Sequence, residues 1–104
     1  MTTFDDREQA FEAKFAHDED LRFRAAARCN RLLGIWAADL IGHKGRDAEA
    51  YAATVVSADL QESGHEDILR KLIADLAGLA SEAEIRGKHQ DLMSQAAQQI
   101  LAEA

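Results

Sequence analysis

Apolar residues recur along this chain at three- and four-residue intervals, the repeat of one face of an α-helix. Leu21, Ala25, Cys29, Leu32, Trp36 and Leu40 form a first stripe, widened by Leu33. Ala48, Tyr51, Ala52, Val55 and Val56 form a shorter second one, and Ile68, Leu69, Leu72, Ile73, Leu76 and Leu79 a third. Ile85, Leu92, Ala96 and Ile100 make the fourth, with Met93, Ala97 and Leu101 beside it. No stretch alternates apolar and polar with the two-residue period of a half-buried strand. Proline is absent, and alanine, leucine, glutamate, glutamine and arginine, all strong helix formers, dominate the chain.

The breaks between stripes carry their own chemistry. Gly42 to Gly45 places glycine where a helix ends in a left-handed turn. Ser63 with Glu66, and Ser81 with Glu84, have the spacing of a capping box, in which each side chain satisfies an orphan amide at a helix start. These signals predict helices near 20–42, 46–60, 64–79 and 82–103. The connections are short enough to force antiparallel neighbours. Each stripe needs a partner face, and four stripes that close on one another make an all-α four-helix bundle.

Composition sharpens that picture. In 104 residues, 47% of positions are apolar, but alanine supplies 21 of them and aromatics only 6%. The core must therefore be thin, and its helices must approach closely. Nineteen acids against 12 Lys and Arg give a net charge of −7, a poor match for nucleic acid or an anionic membrane, whose phosphates need a cationic surface. A single cysteine, Cys29, leaves no internal disulfide and no Cys-based zinc site. No apolar run reaches the ~20 residues of a membrane span, and the opening residues are too acidic for a signal peptide. A cytoplasmic protein without direct membrane insertion is expected.

The first 17 residues hold a separate stripe. Phe4, Phe11 and Phe15, three of the four phenylalanines, are spaced seven and four, which sets them within about 40° of one another on a helix. Asp18, Glu19 and Arg22 interrupt that face before Leu21. Thr3 and Asp6 have capping-box spacing, and Asp5, Asp6 and Glu8 suit the positive end of a helix dipole. Burying three phenylalanines gains roughly 5–9 kcal/mol. Ordering some 14 residues costs on the order of 1–2 kcal/mol each, and isolated helices of that length are marginal. The stripe alone does not win. It either lies back on the bundle and completes its core, or serves as a helix-in-groove ligand that folds on a partner protein. The chain thus divides into an N-terminal arm, 1–17, and a bundle, 18–104.

Catalytic and metal-binding signatures are missing. His17, His43, His65 and His89 lack the i, i+3 or i, i+4 relation that sets two ligands on one helical face. The glycines are isolated, so no phosphate-cradling loop is present, and the serines and Cys29 lack a nucleophile motif. Glu66–Asp67 and Glu82–Glu84 fall at helix starts, where the dipole accounts for them. Arg24, Arg28 and Arg31 cluster on one helical face, either as an acid or phosphate contact or as ordinary ion pairs. No cofactor is expected beyond weak adenine-nucleotide binding on that face. The residues describe a bundle that works by contact. A helical adaptor, a homodimer joined through the phenylalanine arm and a nucleotide-binding bundle all remain open at this level.

The strings FDDREQAFEAKFAHDEDLRF, CNRLLGIWAADLIG, YAATVVSADL and HEDILRKLIADL together resemble the zeta subunit, the ATPase inhibitor of alphaproteobacterial F-type ATP synthases. The resemblance runs from Phe4 to the C-terminal helix. It implies a four-helix bundle with a mobile N-terminal arm and no catalytic activity of its own. It implies that the arm becomes helical and inserts at a catalytic α/β interface of the soluble head, near the rotor stalk. There it blocks ATP hydrolysis while allowing synthesis. Its partners would be the α, β and rotor-stalk subunits, reached from the cytoplasm at the inner membrane. Carried over by position, Phe4, Asp5, Asp6, Arg7, Glu8, Phe11, Glu12, Lys14 and Phe15 match the inhibitory stretch. The bundle, with Trp36 and Tyr51, would be the platform that docks outside the head.

Overall fold

A computed structural model describes residues 18–61 and 66–103 of the chain. Within them lie four helices: α1 (Glu19–Ile41), α2 (Arg46–Gln61), α3 (Glu66–Asp75) and α4 (Glu82–Glu103). Helix α1 packs on α2 and α4, and α3 closes the ring by packing on the same two. The all-α four-helix bundle expected from the four stripes is what forms.

Helix α1 begins where Asp18, in extended backbone (φ −114°, ψ 101°), accepts the Leu21 amide on its carboxylate at 3.1 Å. It ends where Gly42 takes a left-handed conformation at φ 106° and donates its amide to the carbonyls of Ala38 and Asp39. The next amide, His43 N–H, returns to Ala38 O at 2.9 Å, completing a Schellman-type cap. The box before α4 forms in both directions. Glu84 N–H donates to Ser81 Oγ and Ser81 N–H to Glu84 Oε1, each at 3.1 Å. Ser63 of the other expected box lies outside the described residues.

Two expectations need correction. Helix α3 ends at Asp75 rather than at residue 79. Beyond it the chain winds through tighter turns, with Leu79 N–H on Leu76 O at 2.8 Å, and Gly78 stands at φ 82°. That left-handed glycine ends the helical period, so Leu76 is fully buried while Leu79 is turned out and 52% exposed. On α1 the buried line is Leu21, Ala25, Cys29, Leu33 and Ala37, joined by Ala38. Leu32 and Trp36 only border the core, and Leu40 is exposed.

Close approach explains the second difference. A Cβ placed on Gly34 would stand 2.7 Å from Ala52 Cα and 3.0 Å from Ala52 Cβ. Helices α1 and α2 thus meet backbone to backbone at Gly34 and Ala52, where nothing larger than glycine fits on α1. The larger core cluster joins Cys29, Leu33, Val55, Ile68, Leu69, Leu72, Leu76, Ile85 and Leu92. A smaller one, Leu21, Ala25 and Ile100, closes the end where α1 starts and α4 finishes.

A side-chain link crosses each of the four helix seams. Arg28 reaches Gln99 and Glu103 (α1–α4), Arg31 chelates Glu49 (α1–α2), Tyr51 holds Asp75 (α2–α3) and Arg86 holds Glu66 (α3–α4). Mostly exposed, each adds little on its own.

Candidate partner-binding surface

The nine arm residues singled out by resemblance, Phe4, Asp5, Asp6, Arg7, Glu8, Phe11, Glu12, Lys14 and Phe15, lie outside the described residues. The bundle that follows them in sequence is described.

The three-arginine face does not converge. Arg24 turns to Asp20 at 3.2 Å, one turn back on its own helix, while Arg28 and Arg31 reach to α4 and α2 respectively. Each guanidinium is directed at a different acid, so the cluster read from spacing becomes three separate ion pairs. The acids at helix starts are engaged likewise: Glu66 with Arg86, Asp67 with Arg70 at 2.8 Å, and Glu84 in its cap. No group of three or more His, Cys, Asp or Glu stands ready to hold a metal ion among the described residues. None of the described helices is long and apolar enough to cross a membrane.

The two platform aromatics are both half-buried. Lys88 Nζ sits 6.0 Å from the centre of the Trp36 ring. Tyr51 is the hub of a denser group. Its hydroxyl donates to Asp75 Oδ2 at 2.7 Å, Lys71 Nζ reaches the same oxygen at 2.8 Å, and the Lys71 ammonium stands 5.2 Å from the ring centroid. The His43 ring lies 5.9 Å away, tilted by 34°. Burial first, then the hydrogen bond and negative charge of Asp75, raise the Tyr51 phenol well above its ordinary pKa. For Asp75, burial opposes ionisation, but hydrogen bonds from Lys71 and Tyr51 and the Lys71 charge outweigh it and lower the carboxyl. This group pins the α1–α2 turn, α2 and α3 together. Beside it, Ala53, Thr54, Ser57, Ala58 and Lys71 line an open hollow of about 370 Å³.

Cys29 is wholly buried, its Sγ 3.8 Å from the His89 carbonyl oxygen. Burial pushes its thiol up to about 11, so it packs as a small core residue rather than a nucleophile. The fourth phenylalanine, Phe23, is 64% exposed on the first turns of α1. Spacing gives no sign of it, because it belongs neither to the core stripe nor to the arm's aromatic face.

Helices of 10 to 23 residues, a core rich in alanine and acids committed to caps and ion pairs make up this four-helix bundle. A family model described as ATPase inhibitor subunit zeta matches residues 1–99. A structure solved by solution NMR, 48% identical in sequence, superposes with a TM-score of 0.73 over 81% of this chain and 99% of that one. No curated protein matches. The chain belongs to the ATPase inhibitor subunit zeta family.

Proposed function

We propose that this chain inhibits the F-type ATP synthase by inserting residues 1–17, as a helix, at a catalytic α/β interface of the soluble head beside the rotor stalk. Residues 18–104 are the body that holds the arm there from the cytoplasmic side of the membrane. Hydrolysis is blocked and synthesis proceeds. The observation that carries the reading is the span of the family match, which begins at residue 1 and so takes in the arm together with the bundle.

The mechanism follows from residue chemistry. Phe4, Phe11 and Phe15 present one apolar face to an inter-subunit cleft that opens and closes during rotation. Arg7, Glu8 and Lys14 fix the register against charges at its rim, helped by Asp5, Asp6 and Glu12 in the first turns. Three phenylalanine rings do not offset the ordering of the arm, so these polar contacts and the docking of the body supply the remainder. The test is to add the purified chain to the F-type ATPase and follow hydrolysis and synthesis. Wild type should stop hydrolysis, and Phe4→Ala with Phe15→Ala should not, with the thermal stability of the bundle unchanged. An undiminished block by the double variant would refute the mechanism.

A further inference from the structure

Phe23 is the most exposed of the large apolar side chains named outside the core: 64%, against 52% for Leu79 and 38% for Leu40. Its place on the molecule matters more than the number. It follows the Asp18 cap by five residues, about 7.5 Å along the helix axis. A cleft that encloses residues 1–17 therefore has its mouth within one and a half helical turns of this ring. Leu40 and Leu79 stand at the opposite end of the bundle, because α4 runs antiparallel to α1 and its last turns pack beside Leu21.

The surroundings of Phe23 suit an apolar contact. Arg22 pairs with Glu19 at 3.9 Å and Arg24 with Asp20 at 3.2 Å, both within α1. The two acids and two bases cancel, and the third acid of this turn, Asp18, is turned onto the Leu21 amide as the helix cap. Ala27, one turn further on, is too small to cover the ring. An aromatic standing clear of a rim of Arg–carboxylate pairs has the composition of an interface hot spot, with a water-excluding polar edge around a buried anchor.

Resting on the function proposed above, we propose that Phe23 is a second anchor of the inhibitor. Its ring seats against an apolar lip of the ATPase head beside the cleft that receives the arm, and so holds the body in place. The arm supplies the block and Phe23 supplies affinity.

Binding to the isolated ATPase head and hydrolysis are to be measured separately, for wild type, Phe23→Ala, Phe4→Ala with Phe15→Ala, and Leu79→Ala. Phe23→Ala should weaken binding by about 30-fold, the scale of a truncated hot-spot aromatic. It should leave the melting temperature unchanged and still block hydrolysis fully at saturating concentration. Leu79→Ala should bind as wild type does. Wild-type affinity for Phe23→Ala, with the arm variant inactive, overturns the anchor and leaves the arm mechanism standing. An arm variant that still inhibits, with Phe23→Ala weakened, does the reverse. If the wild type self-associates and Phe23→Ala disperses it without loss of affinity for the ATPase, the ring faces a second copy and the anchor is overturned.

Discussion

The contact between α1 and α2 at Gly34 makes a prediction whose sign is set by two opposing effects. Gly34→Ala removes backbone freedom from the unfolded chain and improves helix propensity by about 1 kcal/mol. Against this, the new methyl would lie 2.7 Å from Ala52 Cα, 3.0 Å from Ala52 Cβ and 3.3 Å from a Val55 methyl. The nearest of these is backbone, so no side chain can swing aside. The helices must separate by several tenths of an ångström along a seam that is otherwise close-packed. Overpacking of this kind costs about 1–3 kcal/mol, and a backbone obstacle places it toward the upper end. The net loss is about 1–2 kcal/mol, a fall in Tm of roughly 5–15 °C for a domain of this size.

Gly87→Ala provides the matched control. It lies inside α4 with nothing within 4 Å of the added Cβ, so it should gain up to about 1 kcal/mol. Because the propensity gain is common to both substitutions, the difference between them isolates the steric contact. Urea and thermal unfolding of the two variants beside wild type measure it. Equal midpoints for both variants would show that α1 and α2 are not in backbone contact, and the explanation of the close approach at Gly34 would fall with it.

Two further outcomes follow from the caps and the polar hub. Ser81→Ala removes the hydroxyl that receives the Glu84 amide and should cost about 1 kcal/mol by urea unfolding, while Ser94→Ala, exposed in mid-helix, should gain up to about 0.5 kcal/mol from helix propensity. Tyr51 has its folded pKa raised, so its contribution is fully present below the unfolded value of about 10 and declines as pH rises toward the folded one; wild type should lose its stability advantage over Tyr51→Phe above about pH 10, and a constant difference from pH 7 to 11 would refute the assignment.

The bundle was legible because four runs of apolar residues keep helical spacing and the punctuation between them is chemically specific. Gly42 and the Ser81–Glu84 box form as their positions predict. Weighting residues by size misplaces part of the core. Leu32, Trp36 and Leu40 look like a core line, yet the closest approach to α2 is made at Gly34, a residue that matters for how little room it takes. Leu79 continues the period of α3 on paper, but Gly78 breaks the helix first, and only backbone geometry tells this glycine from Gly87, which stays helical. Angle alone makes the three arginines converge, but Asp20 on α1 takes Arg24, and Glu103 and Glu49 on other helices take Arg28 and Arg31. Phe23 gave no periodic signal at all. The arm was legible only through its aromatic spacing and its family resemblance, and both belong to residues 1–17.

Asp18 closes the start of α1 with its own side chain, in a backbone conformation that is not helical. The body therefore supplies a cap for its own first turn from within the described residues. A fluorophore, a tether or a foreign peptide joined ahead of position 18 should leave the four helices undisturbed. The same body could then carry interchangeable effector sequences, each read out against one constant mount.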